Sequence, residues 1–334
     1  MKKSKVSKLP KIAVLGDGGW GTTLAVLLHK KGADVTLWGA FPEYVELLKK
    51  RRVNEKFLPG IELPRRMQIS AELDEAVGGA GVIVTAIPSN HMRRVCRRMA
   101  AVLRKRGNSN NVLIVSGSKG IEIATLRRMS QVITGPSHAE EVSRGGPTTV
   151  VVAASNERTA VEAQSLLMTE RFRVYTNHDI IGVEIGGAIK NVIAIAAGAC
   201  DGLGFGDNAK AALITRGMVE ITRLGVAMGA KAGTFWGLAG IGDLITTCVS
   251  RYGRNRKVGE MIARGKKLKQ IMAGTEMVAE GILTAKAARK LSQRYRVEMP
   301  ITEQIYAVLY RGKDPEKAVR ELMMRSPKAE ADNA

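Results

Sequence analysis

The sequence predicts an α/β fold with a mostly parallel sheet, followed by an all-α part. Three observations carry that expectation. Short β-branched runs alternate with amphipathic stretches from Lys11 to about Asn177, which is the rhythm of βαβ units. A glycine-rich turn stands between the first such run and the first helical stretch. After about His178 the β-rich runs stop and the apolar pattern takes a helical period.

Taken in order, the expected strands are Ile12–Leu15, Val35–Trp38, Val82–Ile87, Val112–Ser116, Val132–Thr134, Thr148–Ala153 and Phe172–Tyr175. Their branched side chains suit a pleated, buried surface. Between them Thr22–Lys30, Glu43–Arg52, Met92–Arg106 and Arg158–Leu167 read as helices packed on a sheet. The second half reads as helices at Ile180–Ala199, Ala209–Met228, Arg256–Arg264, Gly281–Arg294, Ile301–Tyr310 and Pro315–Met324. The expected division is a basic tail over 1–10, an α/β domain over 11–179, a helical domain over 180–325 and a tail over 326–334.

The 334 residues carry 52 Lys+Arg against 31 Asp+Glu, a formal charge of +21. Such an excess raises the question of nucleic acid or an acidic membrane. Aromatic residues make up only 4%, which leaves few rings for base stacking. With 45% hydrophobic residues a sizeable core can be buried, and global disorder is excluded. Cys96, Cys200 and Cys248 are an odd number at wide spacing, against a disulfide framework or zinc cluster and in favour of a reducing cytoplasm. The apolar run Ile12–Gly16 stops at Asp17 and is too short for a secretory signal. Ile181–Ala199, the most apolar long stretch, is interrupted by Glu184, Lys190 and Asn191, so no integral membrane segment is expected.

Gly16-Asp17-Gly18-Gly19-Trp20-Gly21 fits G-x-G-x-x-G at the first strand-to-helix turn. Glycines there allow a tight turn and close approach to a pyrophosphate, which rests on a helix N-terminus. This context makes the N-terminal domain Rossmann-type and its ligand a dinucleotide. The second strand ends in Gly39-Ala40-Phe41, with no acid to hold a ribose 2′-hydroxyl and no arginine at Ala40 for a 2′-phosphate. NADP and NAD both stay open, and the missing acid tilts the balance towards NADPH.

Ser116-Gly117-Ser118-Lys119-Gly120 closes the strand that starts at Val112. Ligands in parallel sheets sit beyond strand C-termini, so Lys119 should point to the crevice. Gly135-Pro136-Ser137-His138-Ala139-Glu140 reads as a loop into a helix, with Ser137 and Glu140 forming a capping box beside amides that suit an anion. Glu184–Ile193 is apolar almost all round, which implies burial. Lys190 has Gly186, Gly187, Ile193 and Ala194 three and four residues away, so no acid on its own helix can pair with it. A buried lysine tends to lose its proton, which suits proton transfer near neutrality, and we assign it to a cleft rather than a snorkelling surface site. Gly186 and Gly187 are expected to admit a second backbone or a ligand. Asp243, in the apolar stretch Gly240–Thr247, needs a cation, for which Lys190 is the candidate. Arg254 and Asn255 stand just before a helical stretch, where a phosphate would meet a guanidinium and a helix N-terminus. No metal site is expected.

Together these motifs closely resemble the bacterial NAD(P)-dependent glycerol-3-phosphate dehydrogenase family, from about Lys11 to Tyr310. The matching signatures are the glycine turn, Ser118-Lys119-Gly120, Gly135-Pro136-Ser137, Glu184-x-x-Gly187-Ala188-x-Lys190-Asn191, Asp201–Arg216, Gly240-x-Gly242-Asp243 and Arg254-Asn255-Arg256. The resemblance implies a Rossmann-type domain, an all-α domain and an active site between them. It implies reduction of dihydroxyacetone phosphate to sn-glycerol 3-phosphate by a homodimer that supplies glycerophospholipid synthesis. Lys190 would be the general acid, or base in reverse, with Lys119 beside substrate and cofactor and Asp243 orienting Lys190. Gly135, Ser137, Asn191, Thr247, Gly253, Arg254 and Asn255 would complete the substrate site. Gly16, Gly18, Gly19, Trp20, Gly21, Lys119, Ala139, Arg254, Val278 and Glu280 fall where family members contact the cofactor. Asp17 and Gly19 depart from the small or hydroxylated residues more usual in the turn, His138 replaces a common Phe, and Gly253 stands where many members have Ser.

Two other readings compete. A related hydroxyacid or imine reductase shares the architecture, but Arg254, Asn255 and the two lysines favour a phosphorylated substrate over a bare carboxylate. A polyanion-binding protein would use Met92–Arg106, which carries Arg93, Arg94, Arg97, Arg98, Arg104, Lys105 and Arg106, within a segment from Ala76 to Ile121 that has no acid. A solvated helix face accounts for that pattern, and no nucleic-acid partner is expected.

Overall fold

The computed structural model describes residues 9–105, 107, 112–129, 133–134, 139–274, 279–327 and 329–330, with only the backbone at Ile133 and Thr134. The chain begins with β1 (Ile12–Leu15), α1 (Gly19–Lys30), β2 (Val35–Trp38), α2 (Pro42–Arg51), β3 (Val53–Asn54), β4 (Leu58–Glu62) and β5 (Gln68–Ser70). It continues through α3 (Leu73–Val77), β6 (Val82–Thr85), α4 (Ser89–Lys105), β7 (Leu113–Ser116) and β8 (Ile133–Thr134). α5 (Ala139–Ser143), β9 (Thr148–Ala153), α6 (Glu157–Leu167) and β10 (Phe172–Asn177) complete the first half.

Five strands form an all-parallel sheet in the order β5-β2-β1-β6-β7. β1, β2 and β6 are buried at every position, as strands covered on both faces must be. Ile12, Val14, Val82 and Val84 share a core with Leu24, Leu28 and Leu166 of α1 and α6. Their neighbours Ala13, Leu15 and Ile83 point the other way, into α3 and α4 at Ala76, Val95 and Met99. Register keeps the strand ends level, because Leu15 pairs with Trp38 and Thr85, and Thr85 with Ser116. Connections from β1 run to opposite sides, so the crevice beyond β1 and β6 is the topological switch point. A smaller sheet, β10-β9-β8, is parallel between β10 and β9 and antiparallel between β9 and β8.

The described residues of the second half form only helical elements: α7 (Ile180–Gly202), α8 (Asp207–Ala227), a 3-10 turn at Ala232–Trp236 and a π-helical turn at Leu238–Gly242. α9 (Asp243–Val249), α10 (Arg254–Ala263), α11 (Leu268–Ala273), α12 (Glu280–Tyr295), α13 (Pro300–Arg311) and α14 (Pro315–Met323) follow. α7 is the axis of this half and is buried continuously from Gly182 to Cys200. It is also the one helix among the described residues long and apolar enough to cross a membrane, and 89% of that apolar window lies inside the protein. Asp179 caps it, accepting Gly182 N–H at 2.8 Å. The same carboxylate accepts Lys231 N–H at 2.8 Å and the Thr234 hydroxyl at 2.7 Å, which ties the helix start to the turn ahead of α9. Val183 and Ala239 pack on Val151 and Ala153 of β9, joining the helical part to the smaller sheet.

Several bounds differ from the sequence expectation. The third expected strand stops at Thr85, because the chain turns at Ile87-Pro88 into α4. The last one runs on to Asn177, paired with Ala153. α1 begins at Gly19 rather than Thr22, and α10 begins at Arg254 rather than Arg256 with Gly253 as its N-cap. β3, β4, β5, α3, α9 and α11 fall outside the sequence expectation, each too short for a hydrophobic period to register, whereas α5 is the helix expected after the Gly135–Glu140 loop.

Candidate active site

Gly186 and Lys190 are four residues apart on α7 and therefore share a face. A Cβ on Gly186 would stand 2.6 Å from the Ala239 carbonyl oxygen, so the glycine lets the Leu238–Gly242 turn lie against the helix. Gly240 is similarly required, since its Cβ would meet the Phe235 carbonyl oxygen at 2.0 Å. This contact of backbone on backbone delivers Asp243, the first residue of α9, to Lys190. The expected second backbone at Gly186 is thus the Leu238–Gly242 turn, and Asp243 also gains from its place in a first helical turn.

Lys190 Nζ donates to Asp243 Oδ1 at 2.6 Å and to Thr247 Oγ1 at 2.5 Å. Thr247 passes its own hydrogen to the Asp243 carbonyl oxygen at 2.6 Å, so its hydroxyl must accept from the ammonium. Lys119, arriving from the loop after β7, donates to Asp243 Oδ2 at 3.2 Å. Asp243 is 2% exposed and Lys190 5%, so neither charge is relieved by water. Burial pushes the Lys190 ammonium down to about 8, Lys119 pushes the same way and Asp243 opposes both. Burial alone would raise Asp243, but the two lysines outweigh it and hold the carboxyl below its usual range. Among the described residues, two of the three Lys190 N–H donors are taken, which leaves one for an oxygen in the cleft.

Around this pair the polar groups divide into committed and open ones. Asn255 donates to Asn191 Oδ1 at 2.9 Å and accepts Gly281 N–H at 2.9 Å, so its amide braces α10 against α7 and α12. Arg254 is exposed on the first turn of α10, where no side chain caps the helix. Gly253 is buried, and a Cβ there would stand 3.0 Å from the Thr247 carbonyl oxygen. Glu280 opens α12 and reaches across to α4, accepting the Ser89 hydroxyl at 2.9 Å and Ser89 N–H at 3.3 Å. Glu184 forms an ion pair with Arg128, and burial raises its carboxyl to about 7.

The crevice end of the sheet fits a dinucleotide. Gly16 takes φ +120°, and its Cβ would collide with the Ala86 carbonyl oxygen at 2.5 Å, so only glycine serves there. Gly18, the N-cap of α1, faces open space and leaves the helix amides without a side-chain cap. Trp20 lies against Gly117, and Ala139 lies against Gly19 and accepts the Thr23 hydroxyl at 3.3 Å. Among the described residues, buried atoms without a hydrogen-bond partner include Asp17 Oδ2, Trp20 Nε1, Thr85 Oγ1 and Ser116 Oγ, all at the carboxyl ends of β1, β6 and β7 or on the turn and helix after β1. Orphaned polar atoms gathered at one edge are what a polar ligand would satisfy. Gly135, Ser137 and Val278 lie outside the described residues, as does the Ser137–Glu140 capping box. The described residues include no group of three or more His, Cys, Asp or Glu that could hold a metal.

The structure brings Lys119, Lys190, Asn191, Asp243, Thr247, Gly253, Arg254 and Asn255 to one junction, with Glu280 at its edge. The bracing role of Asn255 was not visible in the sequence, because both of its partners come from other helices. The Glu280–Ser89 contact spans 191 positions and left no local signal.

A parallel sheet with a glycine turn at its switch point, set against a helical core that buries an ammonium, defines a Rossmann-type NAD(P)-dependent oxidoreductase. The comparisons narrow this class. Residues 11–160 match the model for the N-terminus of NAD-dependent glycerol-3-phosphate dehydrogenase, and residues 179–320 match that for its C-terminus. The chain is 50% identical to glycerol-3-phosphate dehydrogenase [NAD(P)+] of Moorella thermoacetica, over 94% of this chain and 96% of the relative. It is 48% identical to that of Prosthecochloris aestuarii, over 96% and 99%. The crystal structure of glycerol-3-phosphate dehydrogenase from Coxiella burnetii superposes with a TM-score of 0.88 at 36% identity, covering 95% of this chain and 99% of that one. The chain belongs to the NAD-dependent glycerol-3-phosphate dehydrogenase family. These matches do not favour the reductase or polyanion-binding alternatives.

Proposed function

We propose that the protein reduces dihydroxyacetone phosphate to sn-glycerol 3-phosphate, reversibly, with NAD(P)H held on the domain over 11–179 and substrate held against the domain over 180–325. The observation that carries this reading is the buried Lys190 ammonium, bound by Asp243 and Thr247 with one donor left over. When bound, the nicotinamide supplies the hydride. Negative charge then develops on the former carbonyl oxygen, and Lys190 neutralises it by giving up a proton. Asp243 holds Lys190 in position and keeps enough of it protonated near neutrality. Lys119, the other cation on Asp243, sits on the crevice side and suits contact with both substrate and cofactor. Arg254 and the uncapped start of α10 suit the substrate phosphate, together with Gly135, Ser137, Asn191 and Gly253, while Asn255 serves the substrate site by bracing that helix start. Gly16, Gly18, Gly19, Trp20, Gly21, Ala139, Val278 and Glu280 serve the cofactor. In this reading the enzyme is a cytoplasmic homodimer whose product enters glycerophospholipid synthesis.

The test is NADH or NADPH oxidation that depends on dihydroxyacetone phosphate. Lys190→Ala should lower kcat by about 10²–10⁴-fold with an unchanged circular dichroism spectrum. Wild-type turnover in that variant would refute the assignment.

A further inference from the structure

The first βα turn carries a carboxyl that the dinucleotide reading leaves unused. Asp17 follows β1 directly, yet its side chain lies at the end of β2. A Cβ built on Gly39, the first residue after β2, would stand 2.4 Å from Asp17 Oδ2 and 2.7 Å from Val45 Cγ2. The carboxyl therefore fills the space where a side chain at the end of β2 would begin. In dinucleotide-binding sheets that is the place from which an acid reaches the adenosine ribose. Here the acid arrives from the neighbouring turn, and Gly39 is the glycine that admits it.

The group is held firmly. Its main-chain carbonyl oxygen accepts Asn54 Nδ2–H at 2.8 Å and the Thr22 hydroxyl at 3.2 Å. Among the described residues, Oδ2 is shut away from solvent and has no hydrogen-bond partner. Burial pushes the carboxyl pKa up, against its own backbone N–H and the charge of Lys56. Lys56 itself lies over two rings, 5.4 Å from the Phe57 centroid and 5.9 Å from that of Tyr44. Glu43, in the first turn of α2, adds a second acid, and Gly39, Ala40 and Phe41 bring no charge. The Lys56 charge is thus set against the Asp17 carboxyl, and the residues that follow β2 add no cation, where a 2′-phosphate would need net positive charge.

We propose that Asp17 sets cofactor choice in favour of NADH, by placing a carboxylate under the ribose 2′ position and repelling the 2′-phosphate of NADPH. This rests on the reading of the glycine turn as the dinucleotide site, and it reverses the tilt towards NADPH drawn from the missing acid at the end of β2. Isothermal titration of the full chain with NADH and with NADPH tests it, using the wild type, Asp17→Asn and Asp17→Ala. The wild type should bind NADH about tenfold tighter or better, and both variants should narrow the ratio at least about fivefold by tightening NADPH. A wild type that prefers NADPH, or a ratio that the variants leave unchanged, overturns the proposal while the dinucleotide site stands. Binding of neither cofactor refutes the glycine-turn reading and the proposal with it. If circular dichroism shows that the variants do not fold, the wild-type ratio between AMP and adenosine 2′,5′-bisphosphate, which differ only in the 2′-phosphate, decides: tighter AMP supports the proposal, and equal or weaker AMP overturns it.

Discussion

Lys190 has two charged neighbours that pull its proton in opposite directions. Burial and Lys119 disfavour the ammonium, Asp243 favours it, and the outcome is a pKa lowered to about 8. Reduction needs the ammonium as donor, so its rate should fall as pH rises through about 8. Oxidation needs the neutral amine, so it should rise over the same interval. Lys119→Ala removes a like charge and should move both breaks upward, as read from rate–pH profiles in the two directions. At this scale the sequence was informative about Lys190 and Asp243, because a charge in an apolar stretch demands a partner. It said much less about Asn255, whose amide is spent on Asn191 and Gly281. It showed Asp17 only as a departure from the usual turn, since the approach to Gly39 exists only once β1 and β2 are side by side.

α7 and the Leu238–Gly242 turn work as one device, because the distance between their backbones sets the reach of Asp243. Gly186→Ala would place a methyl 2.6 Å from the Ala239 carbonyl oxygen, and the turn must shift to relieve it. We expect a stability loss of about 1–3 kcal/mol and a fall in kcat larger than the rise in KM, measured by urea unfolding and steady-state kinetics. The same close packing recurs where α10 crosses α7, since a Cβ on Gly198 would lie 1.7 Å from the Arg256 carbonyl oxygen. Gly186 was legible as a contact point because it interrupts an apolar helix beside a buried lysine, Gly198 was not, and the long elements were legible from their periods. β3 and α9 were not, because two or seven residues hold too little pattern.

Over the whole molecule, long-range polar contacts fix how the parts meet. Glu220 of α8 supplies the cap that α13 lacks, accepting Ile301 N–H at 2.5 Å, Thr302 N–H at 3.1 Å and the Thr302 hydroxyl at 3.0 Å. Burial nevertheless raises its carboxyl from 4.5 to about 7. Between those values the folded chain holds a proton that the unfolded chain has lost, so this contribution is complete below 4.5 and disappears as pH rises through 7. Glu184 behaves alike and adds to the same slope. The Tm should therefore fall across that window, and Glu220→Gln should flatten part of the fall in calorimetric scans at fixed salt. A contact between residues 81 positions apart has no sequence signature, whereas the change of rhythm near residue 178 falls where the last strand, β10, gives way to α7. The charge of +21 is spread over faces such as that of α4, where Arg93 pairs with Glu122, and it suits the capture of two anionic ligands.

In the proposed reaction Lys190, held by Asp243, carries the proton. The most direct test is the pH dependence of kcat for dihydroxyacetone phosphate reduction and sn-glycerol 3-phosphate oxidation, in the wild type and in Asp243→Asn. Opposite-handed breaks are expected near pH 8 in the wild type, both displaced to lower pH in the variant because the charge that sustains the ammonium is gone. Breaks that stay in place in Asp243→Asn would contradict that role.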